Sequence, residues 1–575
     1  MDVEKNNKGA GIAAYGKITT VPELAASLIL LLAFNIVAVT ALMFWAGISV
    51  SQFHFPAAIV LSLGMARYIS CSTRLWLVAA LWLVPAIVAG SAMMGWFYDF
   101  SGDGQWYHLP GIIAIAEGWN PFLAPGIAEW RTSFEQDLVN AAIYVEHYAK
   151  GPWLIAAVVY KTTGILEAGK VFNLLYMIAV YIFAAGYLRR IGLSGLWSHV
   201  LAMAAAFNPV SIYQMVSAFV DGQIASLCTL LVIFSLDYFR KPRPRILFLL
   251  FAAVVLLANT KFTGLVYASV LGAGFTVLAF SYGLRPESGR YAMAGLASLM
   301  VAVLLVGYQP YVTNLVTKGN PFYPAVARDE AAEQATEGQF DLWAPEGFLA
   351  MNRFEKMARS LLAESAAATS MPRLKVPFSV AKQELYIFFN TEPRYGGFGP
   401  FFGSVLVMVL VIYALARGSS VRKIWNAGAI LALMVFVSVL PNPEAWWARL
   451  APQFWLVPVI LLAAIAAGTS GWQRRPAVAL VLLLLVNSMI VAALNWGRAV
   501  EKNLAFRGQL ETLQHIASTR SVEIATDPRF RIVTEHRLRE NGIQYVYVEK
   551  PSCDEPYRFS FPNNPKRAQA MYCIL

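Results

Sequence analysis

The sequence predicts a polytopic α-helical membrane protein of about 13 transmembrane helices, followed by a small C-terminal α/β domain. Two observations predict this class. The composition is 58% apolar and only 14% charged, with a mean hydropathy of +0.54, which is far from that of an ordinary soluble protein. The apolar residues also fall in blocks of roughly 15–25 residues, the length that crosses a hydrocarbon core of about 30 Å.

A polar N-terminus of residues 1–21 precedes the first of these blocks. That block, Leu24–Ile48, is too long for a cleavable signal peptide and lacks a small-residue cleavage site, so no such peptide is expected. The membrane domain is predicted to extend over residues 22–496. Its candidate spans are residues 22–48, 54–70, 75–95, 171–188, 195–212, 217–238, 245–259, 261–282, 291–308, 399–416, 424–440, 453–469 and 476–496.

Basic residues lie between alternate spans. With the N-terminus inside, every basic cluster falls on the cytoplasmic side, as the excess of Lys and Arg in cytoplasmic loops predicts. The net charge of +11 therefore reflects membrane topology, and no nucleic-acid partner is expected. The clusters are Lys5, Lys8 and Lys17; Arg67 and Arg74; Arg189 and Arg190; Phe239–Arg245; Arg285 and Arg290; Arg417, Arg422 and Lys423; and Arg474 and Arg475.

Three long segments are predicted to lie on the opposite, external side, covering residues 96–170, 309–398 and 497–575. The first is acidic and closes with an apolar run, Gly151–Leu166, which is too short to span and is expected to be interfacial or re-entrant. The second contains an acidic stretch, Asp329–Asp341, and a basic helix-like piece, Arg353–Lys375. We expect this second segment to fold over the membrane surface as a lid or gate.

The external tail has the pattern of a compact βαβ unit. Strand-like Val522–Ala525 and Tyr545–Val548 flank helical Phe530–Asn541. Cys553 and Cys573 both lie in this tail, where an oxidising compartment favours a disulfide; two unpaired thiols are the alternative. The tail contains no catalytic motif, and its expected role is docking or acceptor binding.

The stretch Tyr98–Pro110, YDFSGDGQWYHLP, places Asp99, Asp103 and His108 directly after the third candidate span. Ionisable residues at a membrane edge are costly to hold there and therefore indicate function. Asp99, Asp103 and Tyr107 share one face if the segment begins as a helix. A carboxylate at a dry edge is a candidate general base, whereas helix capping or solvation is the structural alternative.

Further polar side chains are predicted at the external ends of spans. Arginine suits a desolvated phosphate because its planar fork makes bidentate contacts and keeps its charge. Trp447 is predicted to line a substrate groove, with membership of an interfacial aromatic belt as the alternative. No Cys/His cluster has the spacing of a zinc site. The residues are His147, Lys150, Asp221, Lys261, Arg394, Trp447 and Arg449.

Several sequence blocks resemble the GT-C superfamily of integral membrane glycosyltransferases, as in bacterial glycosyltransferase-39-like proteins and protein O-mannosyltransferases. The resemblance covers roughly residues 75–470. It depends on an acidic motif just after an early span, GDGQWYH and then GWNPF, and on a His/Pro segment about 40 residues later. GNPFYP, GGFGP and WWARLAP look like further blocks of a bacterial branch of such proteins.

The resemblance implies transfer of a sugar from a polyprenyl-phosphate donor, on the external face and usually with inversion. It gives Asp103 the place of the residue that activates the acceptor hydroxyl, with Asp99 as the second acid. Arg394, Arg449 and Lys261, as cations beside apolar surface, are expected to bind the donor phosphate. His108, Tyr107, His147, Lys150, Asp221 and Trp447 are expected in the substrate cavity.

Many members carry adjacent acids, whereas here Asp103 is followed by Gly104. This departure leaves open which of Asp99 and Asp103 is the base, and whether either holds a divalent cation; no metal ligands are assigned. The acceptor is a glycan, a lipid or a protein, and the expected location is a bacterial inner membrane with the tail in the periplasm. Two alternatives remain: a transporter or flippase of lipid-linked sugars, and a polymerase or ligase of lipid-linked glycans.

Overall fold

The computed structural model describes residues 20–138, 140–325, 344–367, 369–415, 422–469, 474–553, 556–558 and 570–574. Helices dominate these residues and are numbered here in chain order. They are α1 Val21–Trp45, α2 His54–Ile69, α3 Thr73–Trp96, α4 Leu109–Ala116, α5 Ile127–Trp130, α6 Thr132–Asp137, α7 Ala142–His147, α8 Gly151–Thr163, α9 Val171–Arg190, α10 Gly195–Ala206, α11 Pro209–Gln214, α12 Asp221–Arg240, α13 Pro244–Thr260, α14 Phe262–Ser281, α15 Arg285–Met300, α16 Thr313–Lys318, α17 Arg353–Leu361, α18 Lys382–Ile387, α19 Phe402–Leu415, α20 Arg422–Val439, α21 Leu456–Gly468, α22 Arg475–Ala517 and α23 Arg531–Glu540.

A helix lies at each predicted span, which confirms the class of polytopic α-helical membrane protein. Seven helices in the described ranges are long and apolar enough to cross a membrane: Val21–Trp45, Thr73–Trp96, Leu166–Arg190, Asp221–Arg240, Phe262–Ser281, Arg285–Val306 and Arg475–Ala517. Shorter apolar helices are Gly195–Ala206, Pro244–Thr260, Phe402–Leu415, Ile424–Val439 and Pro452–Gly468. A helix satisfies its own backbone hydrogen bonds, which lipid cannot do.

Helices α1 and α12 form the centre of the bundle. Both are buried along most of their length, and α1 packs against α2, α3, α9 and α13. Helix α1 is apolar around most of its circumference, as suits a helix that neighbouring helices surround. Helix α12 runs from Asp221 at the candidate site to Arg240, which donates to the carbonyl oxygen of Arg190. Arg190 and Arg240 therefore lie together at the end of α12 remote from Asp221.

The apolar run after the first external segment forms a short helix, α8, of 13 residues. Every residue of Gly151–Val159 is buried among protein, and its placement as an interfacial or re-entrant segment stays a prediction. Tight packing explains its burial: a Cβ on Gly151 would lie 2.7 Å from the Asn259 carbonyl oxygen. Helix α8 is thus an internal element of the protein.

The second external segment covers the ends of two spans. Its acidic stretch, Asp329–Asp341, lies outside the described residues. Helix α17 begins at a capping box in which Asn352 accepts the backbone N–H of Glu355 at 3.1 Å. Arg353 donates to the Leu440 carbonyl oxygen at the end of α20 (2.7 Å), and the Phe378 N–H donates to Ser404 Oγ at the start of α19 (2.9 Å).

Helix α22 carries the chain from the membrane into the C-terminal domain. It continues for 43 residues without a break, so the predicted boundary at residue 497 falls inside it. Strands β1 Val522–Thr526 and β2 Val546–Tyr547 flank α23 and pair in parallel, as the βαβ pattern predicted. Strands β3 Tyr557–Arg558 and β4 Ala570–Ile574 were not predicted, and they complete a sheet of order β2-β1-β4-β3.

Cys553 and Cys573 form a disulfide, the pairing that the sequence predicts. It ties the segment after β2 to β4, and Cys573 pairs in the sheet with Glu523 of β1. A bridge over 20 residues stabilises a domain by about 3 kcal/mol, mainly by restricting the unfolded chain.

We therefore expect the Cys553→Ser/Cys573→Ser variant to lose about 3 kcal/mol of C-terminal domain stability. Limited proteolysis of the purified protein across a urea series measures this loss. Cys71→Ser, at a free and half-buried thiol in the turn before α3, is the matched control. Equal protease resistance of the double variant and the control would contradict the expectation.

Candidate active site

Asp103 lies at the start of a π-helical turn, Gly104–His108, that leads into α4. Its Oδ2 accepts the Tyr107 hydroxyl at 3.1 Å and Arg449 Nη2 at 2.9 Å. Its Oδ1 accepts no hydrogen bond from the described part of the chain, and the side chain is 25% exposed. Asp103 is therefore a fixed carboxylate with one oxygen left for a further partner.

Arg449 is the hub of the site. It lies in the 3₁₀ turn Ala448–Leu450, between the span helices α20 and α21. Its guanidinium contacts Asp103, pairs with Glu392, and has Nε 3.5 Å from Asp221 Oδ2. Burial would lower the pKa of Arg449, but Glu392, Asp103 and Asp221 raise it well above its ordinary value. Arg449 is thus a permanent cation among three carboxylates.

Two aromatic rings, those of Phe219 and Trp447, lie against the Arg449 guanidinium. The Phe219 ring centroid is 4.7 Å from the Arg449 Cζ, and that of Trp447 is 4.9 Å. Both distances suit cation–π contact. Trp447 donates its Nε1–H to the Pro393 carbonyl oxygen at 2.9 Å, which ties the segment that carries Glu392 to the arginine turn.

Asp221 and Lys261 form the buried floor of the site. Lys261 Nζ lies 3.1 Å from Asp221 Oδ1, and Gln214 Nε2 donates to Asp221 Oδ2 at 3.2 Å. The two charged side chains are 2% and 9% exposed. Asp221 therefore holds Lys261 and Arg449 on opposite oxygens, and the three side chains form one connected cluster.

Glu392 is a site residue that the sequence analysis missed. Burial and the carboxylates of Asp103 and Asp221 raise its pKa to about 7, although Arg449 lowers it. The side chain is 36% exposed, so water screens part of this effect. Arg394 lies within electrostatic reach of both Glu392 and Arg449, and burial lowers its pKa.

Asp99 has a different environment from Asp103. It is 1% exposed, and its two oxygens accept the N–H groups of Ser101 at 2.8 Å and Ala218 at 2.7 Å. Burial raises its pKa, against the lowering effect of Lys170. A Cβ on Gly104 would lie 1.9 Å from Asp99 Oδ2, which explains why no second acid follows Asp103. Both oxygens of the Asp99 carboxylate are thus occupied by backbone N–H groups, and the side chain stabilises the turn.

Three expected cavity residues have hydrogen-bond partners other than Asp103, although His108 still lies within electrostatic reach of Asp103. His147 contacts Asn314 (Nδ1 to Oδ1, 2.7 Å). Lys150 is 3% exposed and donates to the carbonyl oxygens of Glu146 at 2.9 Å and Tyr148 at 3.0 Å. His108 is 1% exposed and accepts the indole N–H of Trp153 at 2.8 Å. Burial lowers the pKa of His108 to about 3, so it is a neutral structural acceptor.

A group of tyrosines lies beside Asp103. Tyr107 stacks on Tyr144, with 5.0 Å between ring centroids, and also contacts the Tyr148 ring at 5.6 Å. Lys261 Nζ lies 5.9 Å from the Tyr148 ring. The sequence prediction missed Tyr144 and Tyr148, which lie one turn apart on either side of His147; this spacing was the available signal. Within the described ranges, no group of three or more His, Cys, Asp or Glu is placed to hold a metal ion.

Fold and site together define an integral membrane protein with a cluster of charged and aromatic side chains around Arg449. No protein-family model and no curated protein matches the chain. Among solved structures, it is similar to the crystal structure of ArnT from Cupriavidus metallidurans bound to undecaprenyl phosphate, with 11% identity and a TM-score of 0.39. The match covers 83% of this chain and 90% of that chain. A TM-score this low carries no argument about function.

Proposed function

We propose that this protein is a GT-C-type glycosyltransferase of a bacterial inner membrane, which transfers a sugar from a polyprenyl-phosphate donor to an acceptor hydroxyl. The observation that carries the proposal is the contact between Asp103 and Arg449. A half-open carboxylate and a buried, permanent cation meet 2.9 Å apart, although 346 residues separate them in sequence. Displacement of a prenyl phosphate by a hydroxyl requires a carboxylate that accepts the proton and, beside it, a cation that binds the phosphate.

Asp103 is proposed as the general base. Its free Oδ1 takes the proton of the acceptor hydroxyl while that oxygen attacks the sugar C1. The bond from C1 to the phosphate oxygen breaks, and the configuration at C1 inverts. Tyr107 and Arg449 hold Oδ2, which leaves Oδ1 as the oxygen available to the acceptor.

Arg449, Arg394 and Lys261 are proposed to bind the donor phosphate. Arg449 offers a planar fork, and its charge persists when water is excluded. Asp221 fixes Arg449 and Lys261 relative to each other, so little reorganisation accompanies the build-up of charge on the leaving phosphate. We place this face in the periplasm, together with the C-terminal domain, because the basic clusters predict the opposite end to be cytoplasmic.

Labelled donor in proteoliposomes tests the proposal. Transfer releases free polyprenyl phosphate and moves the labelled sugar to an acceptor hydroxyl. Appearance of intact donor in the opposite leaflet, without free polyprenyl phosphate, would instead identify a flippase. A ladder of product lengths would identify a polymerase.

Glu392 gives the proposed donor site a pH dependence. Above pH 7 its carboxylate is ionised and neutralises Arg449, whereas below pH 7 it is protonated and leaves more positive charge for the phosphate. We therefore expect the KM for donor to rise as the pH increases through about 7. Glu392→Gln is expected to keep a low donor KM that does not change between pH 6 and 8. Steady-state kinetics in buffered proteoliposomes measures this KM. An equal rise of KM with pH in Glu392→Gln and in the parent protein would refute the role of Glu392.

A further inference from the structure

The start of the first external segment is packed into the C-terminal domain. Tyr98 belongs to the same hydrophobic core as Phe506 of α22 and Leu538 of α23. The Tyr98 N–H donates to Asn503 Oδ1 at 3.0 Å, and Asn503 Nδ2 donates to the Trp96 carbonyl oxygen at 2.7 Å. The residues that lead to Asp103 thus share one core with a domain some 400 residues further along the chain.

Arg537 of α23 connects this core to the segment around Asp103. It is 2% exposed, and Nη2 lies 2.7 Å from the Asp99 carbonyl oxygen and 2.5 Å from Glu167 Oε1. Its Nη1 donates to Gln105 Oε1 at 3.1 Å. Asp99 and Gln105 lie on either side of Asp103, so one guanidinium holds both flanks of the proposed base.

The same buried cluster reaches the other half of the site. Glu167 accepts the Asp99 N–H at 3.2 Å and pairs with Lys170 at 2.6 Å. The Asp99 carboxylate accepts the Ala218 N–H at 2.7 Å. Phe219, the next residue, supplies the ring against which the Arg449 guanidinium lies. Displacement of Asp99 would therefore disturb both Asp103 and Arg449.

We propose that Arg537 is a positioning residue for the reaction and that the C-terminal domain is an integral part of the catalytic unit. Through Arg537 the domain fixes the Asp99–Gln105 segment so that Asp103 faces Arg449. This inference rests on the proposed function of Asp103. It gives the domain a role in the chemical step in addition to any role in docking an acceptor.

Arg537→Met and Arg537→Lys test the inference, with Arg531→Met as the matched control. Arg531 lies on the same helix and also pairs with the first external segment, at 2.9 Å from Asp137, but both side chains are about one third exposed. In Arg537→Met we expect kcat to fall about 10–100-fold, since small misplacements of catalytic groups have effects of this size, with the donor KM little changed. Arg537→Lys should recover part of kcat, because its ammonium retains the charge, and Arg531→Met should match the parent protein.

Hydrogen exchange in full-length protein supplies a readout independent of turnover. The amides of Ser101, Gly104 and Gln105 are hydrogen-bonded within the turn, and we expect them to exchange faster in Arg537→Met than in Arg531→Met. Normal kcat with normal exchange in Arg537→Met overturns the inference. Equal losses in Arg537→Met and Arg531→Met overturn it as well, because they would indicate general loosening of the domain. Absence of transfer by the parent protein defeats the proposed function, while the exchange comparison still decides whether Arg537 orders this turn.

Discussion

Asp103→Asn is expected to lower turnover by about 10²–10⁴-fold, the usual effect of removing a general base. Asparagine has nearly the same shape and still accepts the Tyr107 hydroxyl through its amide oxygen, but it cannot take a proton from the acceptor. Donor binding should change little, because Arg449 keeps Asp221 and Glu392 as partners. Release of polyprenyl phosphate from labelled donor measures the rate.

Asp137→Asn is the matched control for this experiment. It makes the same substitution in the same external segment, at a half-buried carboxylate that pairs with Arg531. We expect its turnover to remain close to that of the parent protein. Turnover of Asp103→Asn within a few-fold of this control would rule out Asp103 as the base.

Arg449→Met should have the second largest effect, on both rate and stability. Loss of one group that stabilises developing charge reduces kcat by about 10²–10³-fold. The substitution also leaves Asp103, Asp221 and Glu392 facing one another without their shared cation. Removal of one partner from a buried ion cluster lowers the free energy of unfolding by about 3–5 kcal/mol.

Arg449→Lys separates these two effects. Lysine restores the charge but not the planar fork, so we expect a stable protein with an intermediate rate. Arg131→Met removes an exposed arginine that pairs with Glu117 and should cost less than about 1 kcal/mol. Thermal unfolding and turnover per folded molecule are the measurements. A fully active Arg449→Met variant would exclude this guanidinium from donor binding.

The membrane architecture was predictable because hydropathy and the positions of Lys and Arg are properties of single segments. Arg449 and Lys261 were predictable for the same reason, as cations at the external ends of spans. Their pairing with Asp221 was not, because each of these residues lies on a different helix or turn.

The distinction between Asp99 and Asp103 also depended on tertiary contacts. Only the folded chain brings the Ala218 N–H to Asp99 and Arg449 to Asp103. Glu392 gave no local signal, since a single acid in a long polar segment has no periodicity. The predicted boundary at residue 497 marks the end of the apolar run, whereas the helix continues to Ala517.

The uninterrupted helix α22 has a mechanical consequence. Its 43 residues extend for about 65 Å, of which the hydrocarbon layer takes about 30 Å. The remaining part of the helix, about 35 Å long, projects from this layer. A 10° change in helix tilt moves the C-terminal end of this part by about 6 Å. Because Asn503 on this helix is hydrogen-bonded to Trp96 and Tyr98, we expect a change in helix tilt in a thin or thick membrane to shift the residues that precede Asp103.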